Sequence, residues 1–347
     1  MASLRRRSGE GVERGGGETQ AGAAQPATAL RSVFVFEYVT GGGALLPGED
    51  DPAMLAMGRS MRDALAADLS ACAGWRCSVA TCSASTAPPA GQPVLALPGE
   101  AIGDFVAREA AQHDASWIIA PETGGLLSAL QARVPTGRSL GSSADAIRLA
   151  SRKQATLAQL QRHGIATPLA LAAAATRWVV KPDDGAGGLA TRVWTTLAQA
   201  KADWQARHHD DLHPMTLEPW VDGEAGSLSV LGSGPGPQGA ELLSANRQHI
   251  SVAADGWLNF GGVQLQAFDA GDARWPAARA LVQQVAQAVP GLQGFYGIDV
   301  VWHAQHGPVV IEVNPRLTCA YAGQTQALGR NLAAQVLAGI PQRVDHG

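Results

Sequence analysis

The chain has 347 residues, 46% of them hydrophobic and 16% charged, with a formal net charge of -4. That apolar share excludes a disordered chain, the 41 glycines follow no every-third-residue period, and no stretch approaches the roughly 18 apolar residues of a membrane span. The acidic balance argues against a nucleic-acid partner, and four cysteines without paired CxxC spacing argue against a disulfide scaffold or a cysteine metal site.

Arg5, Arg6 and Arg7 are followed by a stretch rich in Gly, Glu, Gln and Ala, not by the apolar core of an export signal. Residues 1–30 therefore read as a disordered extension and the protein as cytoplasmic, with no membrane partner. Residues 32–36, Ser-Val-Phe-Val-Phe, read as a buried strand running into Gly41-Gly42-Gly43. A helix is expected from Pro52 to about Ala71, a weak strand at 77–80, a loop at 83–92, a helix at 102–112 and a strand at 117–120. This alternation predicts an α/β domain with a parallel sheet over residues 31–140.

A second section, 141–215, opens with Ser143 ahead of a short helix. A longer helix over 151–163 ends at Gly164, where glycine suits a left-handed cap. Thr167-Pro168 reads as the start of an extended segment, and 178–180 as a strand leading into a glycine loop. The third section, 216–347, reads as strands at 216–221, 227–231, 242–246, 298–302 and 309–313, with helices at 275–289 and 329–337. No internal repeat is present.

Five features carry the chemistry, in a fixed order. Lys153 lies on the helix after Ser151. Lys181 ends a strand and leads into Asp183-Asp184-Gly185-Ala186-Gly187-Gly188. Glu218-Pro219-Trp220-Val221-Asp222-Gly223-Glu224 forms an acidic hinge, Asp299 sits in Tyr296-Gly297-Ile298-Asp299, and Glu312-Val313-Asn314-Pro315-Arg316 closes the set. Glycines let backbone N–H groups approach phosphate oxygens, and two lysines can clamp phosphate from different elements. Glu312 and Asn314, two apart on a strand, share a face, and with Asp299 they offer the hard oxygens that magnesium prefers. Taken singly, each is more often a solvated turn or a surface charge.

In this order the features resemble the ATP-grasp superfamily of carboxylate–amine ligases over about residues 115–340. The resemblance implies an ATP-grasp fold with an N-terminal parallel-sheet pre-ATP-grasp domain, and ATP and two Mg2+ ions (or Mn2+) as cofactors. In it Lys153, Lys181 and Gly185, Gly187 and Gly188 of the loop hold the phosphates. Glu218 and the Trp220–Val221 backbone read adenine, and Glu224 holds the ribose. Asp299, Glu312 and Asn314 bind the metals, and Arg316, with Lys181, faces the transferring phosphoryl group. The D-alanine ligase branch has an arginine where Gly297 stands here, which argues against that branch.

Phe36-Glu37-Tyr38-Val39-Thr40-Gly41-Gly42-Gly43, Ala120-Pro121-Glu122-Thr123-Gly124-Gly125-Leu126 and Glu312-Val313-Asn314-Pro315-Arg316-Leu317-Thr318 together look like the tyramine–glutamate ligase group of methanofuran biosynthesis. That implies an acyl-phosphate route joining L-glutamate to tyramine or tyrosine, with small-molecule partners; a homodimer stays open. Glu37 and Glu122 are candidates for the acceptor pocket or, equally, turn caps, and Arg247 for the donor's α-carboxylate or a structural ion pair. The His208–His213 stretch reads as a polar connector, and Trp178, Trp194 and Trp204 as core. The rival readings are another amino-acid or dipeptide ligase, an ATP-grasp kinase, and an inactive nucleotide-binding regulator, which the complete metal set argues against.

Overall fold

The computed structural model describes residues 30–43, 52–83, 85–185, 188–208, 214–232 and 239–340. The extension, Gly187 and most of the His208–His213 stretch lie outside them.

Three sheets organise the chain. The first is parallel, in the order β3-β2-β1-β4, from β1 (Arg31–Glu37), β2 (Trp75–Ala80), β3 (Gln92–Val94) and β4 (Ala115–Ile119). Residues 33–37 of β1 are all buried, because helices cover both faces of a parallel sheet. Helix α1 (Pro52–Ser70) supplies Leu65, Ala66 and Leu69 to one face. Helix α2 (Ile102–Gln112) supplies Phe105 and Val106 to the other, where the Phe34 and Phe105 rings meet edge-on at 6.0 Å. Such a pair adds about 0.5–1.5 kcal/mol beyond its buried area. The expected loop at 83–92 ends in the edge strand β3, which the proline within it suits.

Helices α3 (Leu126–Gln131), α4 (Ala144–Ala150) and α5 (Lys153–Arg162) lead to a three-stranded antiparallel sheet, β6-β5-β7. Its strands are β5 (Trp178–Pro182), β6 (Arg192–Trp194) and β7 (Met215–Pro219), packed against α6 (Leu197–Arg207). Ser143 caps α4 by accepting the Ala146 N–H at 3.3 Å, and Gly164 closes α5 at φ +75°. The segment after Thr167 is not extended: residues Pro168–Ala174 form a 3-10 stretch, begun by a proline at its first position.

The third sheet is antiparallel, in the order β10-β9-β8-β11-β12. It is built from β8 (Glu224–Gly232), β9 (Ala240–Val252), β10 (Leu258–Phe268), β11 (Gly294–His303) and β12 (Gly307–Asn314). Helix α7 (Trp275–Ala288) covers one face with Leu281, Val282 and Val285. Strand β7 pairs with β5, so the sheet division falls in the hinge after Pro219 and not at residue 215.

Helices α8 (Gln324–Leu328) and α9 (Leu332–Ala338) return to the first domain, where Leu332 and Leu337 join the core beneath α1. Asp68 of α1 fastens them: the Tyr321 and Thr325 hydroxyls each donate to its carboxylate at 2.6 Å, and the Asn331 amide donates to its carbonyl at 2.7 Å.

Candidate active site

A cavity of about 560 Å³ opens where the three sheets meet. Its wall takes Lys153, Lys181, Gly185, Gly188, Glu218, Trp220, Val221, Asp299, Glu312, Asn314, Arg316 and Glu37 from segments far apart in sequence. The two lysines meet through Asp183, the first residue of the polar glycine loop. Its carboxylate accepts the Gln154 N–H at 2.7 Å and Arg152 Nε at 2.6 Å, and its carbonyl accepts the Lys153 N–H at 2.8 Å. An anion at the first turn of α5 is favourable, and it seats Lys153 at the end of the strand that carries Lys181.

Both ammonium groups are buried and paired. Lys153 Nζ donates to the Gly185 carbonyl at 2.8 Å and lies 3.4 Å from Glu312. Lys181 Nζ pairs with Glu218 Oε1, leaving buried Glu218 Oε2 without a partner among the described residues. Past Glu218, neither the Trp220 carbonyl nor the Val221 N–H takes a hydrogen bond from the described residues, so the hinge offers an acceptor and a donor edge to a planar base. Gly223 sits at φ +153°, and a Cβ there would lie 2.4 Å from the Trp302 carbonyl, so only glycine passes the chain this close to β11.

Asp299 and Glu312 are cross-strand neighbours, and Gly297 pairs with Asn314 one step along. Burial and the nearby Glu312 charge push the Asp299 carboxyl up to about 7, against hydrogen bonds from Asn314 (3.3 Å) and Gln248 (2.9 Å). A half-buried carboxylate pair opposed in this way suits a divalent cation. Among the described residues no three His, Cys, Asp or Glu side chains cluster as a metal cage. Two carboxylates and one amide oxygen fit a cation such as Mg2+, which fills its remaining positions with water and substrate phosphate.

The remaining candidates are held by other partners. Glu224 and Arg247 stand outside the cavity wall and pair with each other, and Arg274 adds a second contact to Glu224 at 2.9 Å. Partial burial pushes Glu224 up, but the two guanidiniums outweigh it and hold the carboxyl below its ordinary value. Of the two readings of Arg247, the geometry favours the structural ion pair. Glu37 lines the cavity while capping its own turn: its carboxylate accepts the Thr40 hydroxyl at 2.7 Å and the Thr40 and Val39 N–H groups. Glu122 lies behind the wall and holds Arg316 at 2.9 Å, both side chains buried. Gln248, the α1 methionines Met54, Met57 and Met61, and Thr318 line the cavity and were not singled out in the sequence. For Gln248, the signal was its place two residues after Asn246 on one strand face. His208 stacks on Trp204 at 4.8 Å and accepts the Met215 N–H, a structural role.

Residues 150–320 match the family model of the ATP-grasp domain, and residues 78–147 match that of the pre ATP-grasp 3 domain. No curated protein matches the sequence. Among solved structures, the chain is similar to an ATP-grasp superfamily protein from Archaeoglobus fulgidus, with 21% identity, 90% of each chain covered and a TM-score of 0.62. An L-amino acid ligase from Bacillus licheniformis shares 15% identity over 90% of this chain and 75% of its own, at a TM-score of 0.58. A D-alanine–D-alanine ligase from Bacillus anthracis shares 12% over 90% and 96%, at 0.56. At these identities the likeness is one of fold. The architecture is the ATP-grasp fold, mixed α/β, behind a pre-ATP-grasp domain built on a four-stranded parallel sheet.

Proposed function

We propose that this chain, which has the ATP-grasp fold, is an ATP-dependent carboxylate–amine ligase working through an acyl phosphate. The observation that carries the reading is the convergence of Lys153 from a helix, Lys181 from the three-stranded sheet, Asp299, Glu312 and Asn314 from the five-stranded sheet and Arg316 just past it on one cavity. A carboxylate oxygen of the donor attacks the γ-phosphorus, a C–O–P link forms, the bond to the β–γ bridging oxygen breaks, and ADP leaves. The amine nitrogen then attacks the acyl carbon, the C–N bond forms as the C–O bond to phosphate breaks, and the nitrogen gives up a proton.

Lys153 and Lys181 neutralise phosphate charge. Glu218 Oε2, buried and without a partner among the described residues, accepts the exocyclic amine of the base, and the Val221 N–H meets a ring nitrogen. Asp299, Glu312 and Asn314 would hold Mg2+, which would supply positive charge to offset that of the phosphates. Arg316, held by Glu122, supports charge developing on the phosphoryl or acyl oxygen. Gly185 and Gly188 line the cavity, where backbone without a Cβ can approach phosphate oxygens. As the finer assignment we take L-glutamate as donor and tyramine or tyrosine as acceptor, in a methanofuran-type pathway, on the three motifs shared with that group. Phosphate analysis tests the reaction class. A ligase releases ADP and free phosphate in equal amounts when both acid and amine are present; ADP with a stable phosphorylated product would make it a kinase.

A further inference from the structure

The floor of the cavity is one face of the five-stranded sheet, and cross-strand register sets its side chains in two rows. Asn246, Ser227, Asp299 and Glu312 stand opposite one another across β9, β8, β11 and β12; Ser244, Ser229, Gly297 and Asn314 form the next row. Half of this face carries the carboxylates that fit a cation. The other half is an uncharged, buried patch of hydroxyls and amides that the mechanism above does not use.

Its hydrogen bonds fix which way each group points. The backbone N–H of Gln266 donates to Asn246 Oδ1 at 3.1 Å, so that atom is the oxygen. The Ser244 hydroxyl gives its single hydrogen to the same oxygen at 2.8 Å. Gln324 must then present its NH2 to Ser244, and the same nitrogen lies 3.2 Å from Ser229 Oγ. Asn246 turns its NH2 to Ser229 at 3.0 Å and to Ser227 at 3.4 Å. Ser229 thus accepts two amide hydrogens and Ser227 one, and neither hydroxyl hydrogen meets an acceptor among the described residues. A serine hydroxyl has one hydrogen to donate, and both serines line the cavity. Beside them Gly297 lines the cavity without a side chain of its own, and Thr318 packs over it, its methyl 2.9 Å from where a Cβ would stand.

We infer that Ser227 and Ser229 form the subsite for a carboxylate of the donor acid, with their two O–H groups donating to its oxygens. The inference rests on the ligase reading and names where the acid sits: on the cavity side of β8, one strand from Asp299. Neutral donors orient a carboxylate without the strong pull on its electrons that a guanidinium exerts, so it stays a competent nucleophile. Asn246 and Gln324 are positioning residues, since each acts through a serine.

The test is calorimetric titration of L-glutamate, succinate and acetate into full-length protein holding Mg2+ and a non-hydrolysable ATP analogue. In Ser227→Ala and Ser229→Ala, affinity for the acid that the wild type binds should fall about ten- to a hundred-fold, the loss expected for a hydrogen bond to a charged group. ATP-analogue affinity should stay within about twofold, which also shows that the variants fold. Unchanged acid affinity in the double variant overturns the subsite. So does a wild type that binds the analogue but none of the acids. A wild type that does not bind the analogue overturns the ATP-dependent reading itself, and the subsite with it.

Discussion

Glu312 and Lys181 are both expected to be required for turnover, yet their replacement should read differently in a melting experiment. Glu312 is only partly buried, so Glu312→Ala should abolish amide formation with little change in unfolding temperature. Lys181→Ala should abolish it too, but it strands the buried Glu218 carboxylate, a loss of about 3–5 kcal/mol. Ligase activity surviving in both variants would contradict the assignment. Burial pushes the Cys77 thiol up to about 12, so it should resist alkylation in the native protein at mildly alkaline pH and react only on unfolding. Mass analysis of iodoacetamide-treated protein checks this. The residues proposed to touch phosphate and metal could be picked out because each is a charged or amide side chain in a motif, and the motifs follow one another in a fixed order. The pairing of Glu224 with Arg247, and of Glu122 with Arg316, was not, because 23 and 194 residues separate the partners and only the folded register joins them.

At the scale of elements, the hinge between β7 and β8 should be the least tolerant backbone position. Gly223→Ala combines a left-handed φ with a Cβ 2.4 Å from a backbone carbonyl, and it should cost more than about 1–3 kcal/mol and weaken nucleotide binding as Trp220 and Val221 shift. Denaturant melts and ATP-analogue titration measure the two effects; a neutral outcome in both would show that the hinge does not set the base-binding edge. Most elements could be read from period and punctuation, as with Ser143 before α4 and Gly164 after α5. Strand β10 could have been. Leu258 and Phe260 alternate, Val263 and Leu265 resume the alternation, and Gly261-Gly262 marks the register shift between them. The glycine pair broke the pattern and hid the strand. The 3-10 stretch after Thr167 was read as extended because the sequence does not say which way a chain leaves a Thr-Pro step.

Across the whole molecule, the site and the fold are coupled through charge. Asp299, pushed up to about 7 by burial and by Glu312, binds a proton in the folded chain at pH values where the unfolded chain has released it. Without a divalent cation, stability should therefore fall as pH rises from the ordinary carboxylate range through about 7. Mg2+ competes with that proton, so the rise in melting temperature on adding Mg2+ should be larger above pH 7 than below it. A Mg2+ effect independent of pH would place the cation elsewhere. The parallel first sheet and the ATP-grasp architecture were legible from strand and helix alternation and from the motif order. The return of α8 and α9 to pack beneath α1 was not, since its hydrophobic residues look the same whichever domain they cover.

The central claim is tested most directly by incubating the protein with Mg2+-ATP, L-glutamate and tyramine or tyrosine, and following ADP release with mass analysis of the products. An amine-dependent release of ADP with a glutamyl amide of matching mass is the predicted result. Nucleotide bound and hydrolysed without any amide, whichever amine is supplied, would contradict the substrates. No ADP release under any of these conditions, with the protein folded and Mg2+ present, would contradict the ligase account itself.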